Sequence, residues 1–355
     1  MSPARDLVCA ALRQPQSLTS LTLGEWDVLV RQARRARLLS RIASILDAQG
    51  ALDAVPHAAH AHLRAAALLT EAQHADLLRE LAHVSAALAD TDIHPILLGG
   101  SAYVAAGELS AMGRSLSDIA LLVPAERIAE AEAALMAQGW TTLHHPPHKR
   151  AFCRRWMAGP PPMRHVRRHS VVILRHTAQP GRIGRALAAQ TLLDATLPLG
   201  HDPRFRMLSP VDLALCNMTA LFCCDDVGGA LQDLSDLDLM LRRFGQSPDF
   251  WTDLSQRASE LGVQGPMQHA VRWCALLLGT PRAPPATLAD AAGKARITDS
   301  LWSRALRPQH ATTADRWSGL ARAALQWRSL RLCMPPLSAL HHLLAEARPS
   351  PANRG

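Results

Sequence analysis

The sequence has no long apolar run. None reaches the roughly 18 to 20 residues that a membrane-spanning helix needs. The apolar part of the N-terminal segment is too short for a signal peptide, and Asp6 lies beside it. We therefore expect no membrane association and a cytoplasmic location.

Cysteine pairs with the spacing of a metal site are also absent. The seven cysteines are scattered, and no two of them have the C-x-x-C spacing of a zinc site or a redox motif. Four histidines lie close together in the N-terminal region, but no carboxylate accompanies them at matching helical spacing. We expect these to be surface histidines rather than a metal cluster: His57, His60, His62 and His74.

Lysine is nearly absent, so the positive charge of the chain comes from arginine. Only Lys149 and Lys294 are lysines, yet the formal net charge is +8. Such a charge suits an anionic ligand, but a GC-rich coding sequence produces the same arginine and alanine bias whatever the function. The distribution of the charges is therefore more informative than their sum.

Acidic residues are missing from one long segment, since none occurs between Glu132 and Asp194. This acid-free segment can form a positive face for phosphates, nucleic acid or an acidic protein partner. Equally, it can be a solvated region whose arginines pair with acids of other segments. Its aromatics, such as Phe152 and Trp156, are too few to predict base stacking on single strands. Its cations, which with six histidines occupy residues 144–185, are Lys149, Arg150, Arg154, Arg155, Arg164, Arg167, Arg168, Arg175, Arg182 and Arg185.

The remaining composition is that of a globular protein. With 355 residues and 48% hydrophobic content, the chain is long enough for a large core divided into two or three lobes. Apolar residues recur at three- and four-residue spacing before residue 90 and after residue 250, which predicts amphipathic helices. We predict an α+β fold with a helical region at 1–90, an α/β core at 91–207, a helical region at 208–348 and a disordered tail at 349–355.

Two local signals concern the ends of elements. Residues 141–170 contain Pro146-Pro147 and a run of three prolines from Pro160, and we expect them to be irregular. Ser209 followed by Pro210 predicts the N-cap and the first position of a helix that opens the C-terminal region.

The stretch from Ile96 to Val123 predicts the centre of the α/β core. It reads as a buried strand, a turn at Gly99-Gly100-Ser101, a short helix and a second strand that Asp118 introduces. A glycine pair lets backbone N–H groups approach an anion closely, and an aspartate entering a strand can hold a divalent metal. Together these features indicate a nucleotide phosphate site.

These residues resemble the signature of the nucleotidyltransferase fold, the DNA polymerase beta-like superfamily. That signature is a strand, a Gly-Gly or Gly-Ser turn, a helix and a strand bearing Asp-x-Asp. More narrowly, the chain is similar to a bacterial nucleotidyltransferase family that reads LLKG, then an alanine-rich helix, then R-x-x-x-D-I-D-L-L-V. Leu97–Gly100 matches the first motif and Arg114–Val123 the second, and a helix at Pro124–Gln138 with the turn Gly139-Trp140 follows as in that family.

The resemblance implies a mixed β-sheet core and nucleotidyl transfer assisted by Mg²⁺ ions that three carboxylates hold. Asp118 takes the place of the first carboxylate, as catalytic residue and metal ligand. Ala120 stands at the place of the second, and the strand predicted at Ser170–His176, which corresponds to the third, has no acid. One carboxylate of three argues against a catalytic Mg²⁺ pair. Phosphate contacts are implied for Gly99, Gly100, Ser101, Arg114 and Arg175.

Three functions remain open from the sequence. The first is a degenerate or non-classical nucleotidyltransferase that binds a nucleotide or another anionic small molecule through these residues. The second is an active Mg-dependent transferase that combines Asp118 with Glu108, with an acid of the 225–238 cluster or with a partner's residue. The third is a non-catalytic interaction protein whose basic face binds an acidic protein or nucleic acid. We expect the acids of the 225–238 cluster to cap helices and to pair with the acid-free segment.

Overall fold

The computed structural model describes residues 6–181, 187–200, 202–223, 228–281 and 296–346. Four charged residues of the sequence predictions, and the tail predicted at 349–355, lie outside these ranges. The four are Arg182 and Arg185 of the acid-free segment and Asp225 and Asp226 of the acidic cluster.

A seven-stranded mixed sheet lies at the centre, so the predicted α+β fold is confirmed. The strands are β1 (Ile96–Leu98), β2 (Ile119–Leu122), β3 (Trp140–Thr141), β4 (Met163–His165), β5 (Val171–Arg175), β6 (Leu197–Leu199) and β7 (Asp202–Met207). Their order across the sheet is β3-β4-β5-β2-β1-β7-β6. β1 is antiparallel to β2 and parallel to β7, while β2 is parallel to β5.

Helices precede the sheet in the sequence, as the apolar spacing predicts. They are α1 (Leu7–Arg13), α2 (Leu23–Arg35), α3 (Leu39–Ala48) and α4 (His57–Ala87). The start of α2 shows how the sequence sets such a boundary. The Thr22 hydroxyl accepts the backbone N–H of Glu25, and the Glu25 carboxylate accepts the backbone N–H of Thr22. This reciprocal capping satisfies two N–H groups that the helix itself leaves unpaired.

Short helices connect the strands, and a second helical region follows the sheet. Those among the strands are α5 (Gly99–Ala105), α6 (Ile128–Ala137), α7 (Pro147–Trp156) and α8 (Ala189–Leu193). Those after the sheet are α9 (Pro210–Cys223), α10 (Ala230–Phe244), α11 (Pro248–Glu260), α12 (Gln264–Trp273), α13 (Arg296–Ala305), α14 (Ser318–Cys333) and α15 (Pro336–Glu346). The Ser209 hydroxyl accepts the N–H of Asp212 at 3.2 Å, which confirms the predicted N-cap of α9.

The prediction that residues 141–170 are irregular is wrong, because α7 and β4 lie within them. Pro147 occupies the first position of α7, where a missing N–H costs nothing. β4 pairs with β5 through Met163 and Val172, and this pairing supplies the hydrogen bonds that a three-residue strand cannot make alone. The proline runs therefore mark the ends of these elements and not a loop.

One continuous cluster of buried apolar side chains runs from the N-terminal helices through the sheet into the C-terminal helices. Trp26, Leu121 and Leu237 belong to it, from α2, β2 and α10. A smaller cluster around Leu330 and Met334 packs against α7. Within the described ranges, no helix is both long enough and apolar enough to cross a membrane.

The register of the sheet places three positions of interest side by side. Leu98 on β1 lies opposite Ala120 on β2, and Ala120 lies opposite Ile173 on β5. Alternate residues of a strand face the same side. Asp118 therefore shares a face with Ala120, and Arg175 shares a face with Ile173.

Candidate functional site

All six residues that the sequence singled out line one cavity of about 540 Å³, which we name the central cavity. It lies at the end of β1, between the sheet and the helices α9 and α10. The six are Gly99, Gly100, Ser101, Arg114, Asp118 and Arg175. Their convergence does not establish their predicted roles, and their contacts differ from one residue to the next.

Gly99 shows the backbone conformation that favours glycine. Its φ is +56°, in the left-handed region, and a Cβ added to it would meet no atom within 4 Å. Glycine is therefore required here by the turn and not by crowding. Gly99 is also the first residue of α5, so the predicted separate turn is the first turn of that helix. No side chain caps the N–H groups at this end.

Gly100 and Ser101 have structural roles that the sequence does not suggest. A Cβ on Gly100 would lie 2.5 Å from Leu116 Cδ2 and 3.1 Å from Arg114 Nε, so these side chains pack where a larger residue would stand. The Ser101 hydroxyl donates to the Leu98 carbonyl at 2.8 Å. Its one proton is therefore used within the protein and is not free for a phosphate oxygen.

Asp118 lies in the wall between two cavities. Besides the central cavity, it lines a second cavity of about 500 Å³ beside α4, which Glu80 and Arg168 also line. The Ser117 hydroxyl donates to Asp118 Oδ2 at 2.6 Å. Within the described residues, the structure shows no ion pair for this carboxylate. Its negative charge is therefore available to a ligand or a cation.

The residues of the central cavity do not fit a catalytic pair of magnesium ions. Such a pair needs carboxylate oxygens from neighbouring strands, whereas the described carboxylates of the cavity are Asp118 and Asp233, and Asp233 comes from a helix and pairs with Arg114. Ala120 and Ile173, side by side in register, line the cavity with apolar side chains. Glu108, the substitute considered from the sequence, does not line the cavity and pairs with Arg243 at 2.8 Å. Across the ranges that the structure describes, no group of three His, Cys, Asp or Glu side chains could hold a metal ion.

Arg114 is held inside the protein by two carboxylates of α10. Its Nη2 lies 2.9 Å from Asp233 Oδ1 and its Nε lies 2.8 Å from Asp236 Oδ2. Its guanidinium also lies over the ring of Tyr103, 5.7 Å from the centroid. Burial alone lowers the pKa of Arg114, but Asp236 and Asp233 outweigh burial and raise the pKa above its ordinary value. The arginine is therefore charged, and its charge is balanced internally.

Arg175 presents the opposite case. It lies at the end of β5, half-buried, and it lines the central cavity. In the part of the chain that the structure describes, no carboxylate lies within ion-pairing distance of its guanidinium. Arg37 lines the same cavity from the turn after α2, where its φ of +58° is unusual for a residue with a side chain. The cavity thus has two arginines whose charges are not balanced by described residues.

The ion pairs that the described residues show for the acids of α10 are with arginines outside the acid-free segment, contrary to the predicted pairing. α10 packs against the turn before β2, and its acids meet the arginines of that turn and of α3. Asp236 is fully buried between two of these arginines. The pairs are Asp233 with Arg114, Asp236 with Arg114 and Arg41, and Asp238 with Arg242.

The sequence left open whether the cations of the acid-free segment form a positive face or pair with acids of other segments, and the structure shows some of each. Arg154 pairs with Glu132 and Arg168 pairs with Glu80, so acids of other segments neutralise these two. Other cations of the segment are exposed, and the described residues place no carboxylate within ion-pairing distance of them. These are Lys149, Arg155, Arg164 and Arg167.

One wall of the central cavity was not anticipated from the sequence. Leu213, Cys216, Asn217 and Ala220 of α9 line it. Their three- and four-residue spacing places them on one face of the helix. The sequence shows this spacing, but it looks like the core face of any buried helix. Only its position beside the sheet shows that it faces a cavity.

The model of one protein family matches residues 23–279, which is more than half of the chain. The chain belongs to a family described as uncharacterised nucleotidyltransferase. Every residue that lines the central cavity falls within the part matched by this nucleotidyltransferase family, from Arg37 to Asp233. No curated protein and no solved structure matches the chain significantly.

Proposed function

We propose that this nucleotidyltransferase-family protein binds a nucleotide or another phosphate ligand in the central cavity, without efficient two-metal catalysis. One observation carries the proposal. Arg175 lines the cavity without a carboxylate partner among the described residues, while Ala120 and Ile173 stand where metal-holding carboxylates are needed. The cavity thus offers positive charge to an anion, while of its two described carboxylates, Asp118 and Asp233, the second is already paired with Arg114.

Arginine is well suited to the proposed ligand. Its planar guanidinium donates two parallel hydrogen bonds to two phosphate oxygens. Arg175 extends from the same face of β5 as Ile173, and Arg37 supplies a second positive charge at the cavity wall. A volume of about 540 Å³ is ordinary for a small-molecule site. Membership of a nucleotidyltransferase family supports a nucleotide as the ligand.

Efficient nucleotidyl transfer requires more than binding. Charge develops on the attacking and leaving oxygens, and in this chemistry a pair of metal ions usually stabilises it. Asp118 is one carboxylate of the three that the resemblance implies. We therefore expect a ligand to be held by arginine contacts and not by a metal bridge.

An active Mg-dependent transferase with an atypical site is the second candidate. Asp233 favours it, because this carboxylate lines the same cavity as Asp118 although it comes from α10. Against it, Asp233 already pairs with Arg114 at 2.9 Å. The two candidates differ in whether ligand binding depends on Mg²⁺.

Isothermal titration calorimetry tests the proposal. The four ribonucleoside triphosphates and inorganic triphosphate are titrated in EDTA and in Mg²⁺, into the unaltered chain and into Arg175→Gln and Asp118→Asn. We expect binding in EDTA, weakened about 10- to 100-fold by Arg175→Gln, because each charge-assisted hydrogen bond contributes about 1.5–3 kcal/mol. Asp118→Asn should leave binding in EDTA unchanged or stronger.

Arg167→Gln is the matched control. Arg167 is an exposed arginine of the acid-free segment that does not line the cavity. Its substitution should not change the affinity. Equal losses in Arg167→Gln and Arg175→Gln would mean non-specific attraction to a basic face, as the interaction-protein alternative predicts. Binding that needs Mg²⁺ and disappears in Asp118→Asn would favour the active transferase. No binding of any phosphate compound would refute both nucleotide proposals.

A further inference from the structure

Asn217 brings an unpaired polar group to the wall of the central cavity. The residue is 7% exposed and lines the cavity. Its Nδ2 donates to the Tyr103 hydroxyl at 3.1 Å, whereas its Oδ1 is buried and has no hydrogen-bond partner among the described residues. Buried polar groups in folded proteins are nearly always paired. An unpaired one in a residue that lines a cavity is a candidate contact for a ligand.

The neighbours of Asn217 make it distinctive. Leu213, Cys216 and Ala220 share its face of α9 and offer the cavity apolar or weakly polar surface. Leu98 and Ile173 line the cavity from the sheet. Small-molecule sites are commonly built in this way, from apolar walls with a few polar groups that fix the orientation of the ligand. Among these four residues of α9, Asn217 is the one with a side-chain amide.

Tyr103 fixes one end of the amide and leaves the other free. Tyr103 is 2% exposed, and burial, together with the nearby Asp236 carboxylate, raises the pKa of its hydroxyl. The hydroxyl is therefore protonated at neutral pH and can either accept from Nδ2 or donate to Oδ1. Turning the amide over exchanges its two atoms. In both orientations one end of Asn217 bonds Tyr103, and the other end has no partner among the described residues.

We infer that Asn217 is a specificity residue that hydrogen-bonds the edge of a nucleobase, while the phosphates of the same ligand lie at Arg175. This inference rests on the proposed function, and it adds a second subsite to the cavity. A base edge is an uncharged group with hydrogen-bond donors and acceptors, which is the chemistry that a free amide end recognises. The ring of a base can pack against the apolar face that Leu213, Cys216 and Ala220 of α9 form. Asn217 thus distinguishes a nucleotide from inorganic phosphate.

The test compares ligands with and without a base. Inorganic triphosphate and the four ribonucleoside triphosphates are titrated into the unaltered chain, Asn217→Leu and Asn217→Ala. We expect at least one nucleoside triphosphate to bind about tenfold tighter than inorganic triphosphate, and both variants to lose this difference. Their affinity for inorganic triphosphate should stay unchanged. Asn217→Ala leaves room for water at the Tyr103 hydroxyl, so it serves if the larger leucine prevents folding.

Ser255→Ala is the control. Ser255 also has a buried hydroxyl without a partner among the described residues, but it does not line the central cavity. Its removal should leave the preference for the base intact. Equal binding of inorganic and nucleoside triphosphates, or a preference that survives in both Asn217 variants, overturns this inference and leaves the phosphate site standing. Equal losses for all four bases assign Asn217 to the sugar and overturn the base assignment. No binding of inorganic triphosphate or of any nucleotide overturns the proposed function and this inference with it.

Discussion

Replacing Arg114 by leucine should lower the stability of the fold, whereas replacing Arg175 by leucine should weaken phosphate binding and leave stability nearly unchanged. In the sequence, both arginines are equally good phosphate contacts. In the structure, Arg114 is 13% exposed at its side chain and pairs with Asp236, which is fully buried, and with Asp233. Arg175 has no such partner in the described ranges.

The cost of Arg114→Leu follows from the carboxylate that it leaves behind. Removing one member of a buried ion pair costs about 3–5 kcal/mol, because the other charge stays buried without compensation. Asp236 keeps Arg41, whose Nη2 lies 2.8 Å away, and Asp233 is 32% exposed and regains water. We therefore expect the lower end, about 3 kcal/mol. For Arg175→Leu we expect a change within about 0.5 kcal/mol.

Urea unfolding measures this difference directly. With a slope of about 3 kcal/mol per molar urea, the midpoint should fall by about 1 M for Arg114→Leu and by less than about 0.2 M for Arg175→Leu. Calorimetry with inorganic triphosphate should show a loss of about 10- to 100-fold for Arg175→Leu. A midpoint of Arg114→Leu within about 0.2 M of the unaltered chain would refute the reasoning, as would an equal fall in both variants.

Three further predictions concern the metal positions, the glycine turn and acid stability. Ala120→Asp combined with Ile173→Asp should tighten Mg²⁺ binding in calorimetry, because it restores carboxylates at the two apolar positions; unchanged affinity would contradict this. Gly100→Ala should lower the free energy of unfolding in urea by about 1–3 kcal/mol, since its methyl would lie 2.5 Å from Leu116 Cδ2, and an unchanged midpoint would show that this side chain yields. Burial by itself raises the pKa of Glu80, but its hydrogen bonds outweigh burial and lower the pKa. The stabilisation by Glu80 is therefore present above the unfolded pKa and is lost as pH falls below about 4.5. In urea titrations at successive pH values, Glu80→Gln should reduce this acid loss of unfolding free energy. An equally steep loss in the variant would contradict the assignment.

The stretch from β1 to β2 was predictable because its signals are local. A short apolar run, a glycine pair and a second apolar run lie within 28 residues, and each element follows from neighbours in the sequence. β7 is different. It carries alternating polar residues, with Phe205 buried, and joins the sheet only by pairing with β1 more than 100 residues earlier. No local sequence pattern predicts the pairing of β7 with β1.

The walls of the cavity were partly predictable. The turn, Asp118 and Arg175 lie within or beside elements that the sequence predicts for the α/β core. Arg37 comes from the turn after α2, and Asn217 comes from a helix that looks like an ordinary core helix. Their position at the cavity depends on how the turn after α2 and the helix α9 are placed by the packing of the whole fold.

The sequence by itself determined the family signature and the shortage of carboxylates. Ala120 has no acidic group, and no change of register can supply an aspartate between Glu132 and Asp194. The tertiary structure alone decided which cations are free. Arg114 forms an ion pair with Asp233, 119 residues away in the sequence, which balances its charge. Arg175 meets no described carboxylate. Coulomb energy depends on distance in space, and only folding sets that distance.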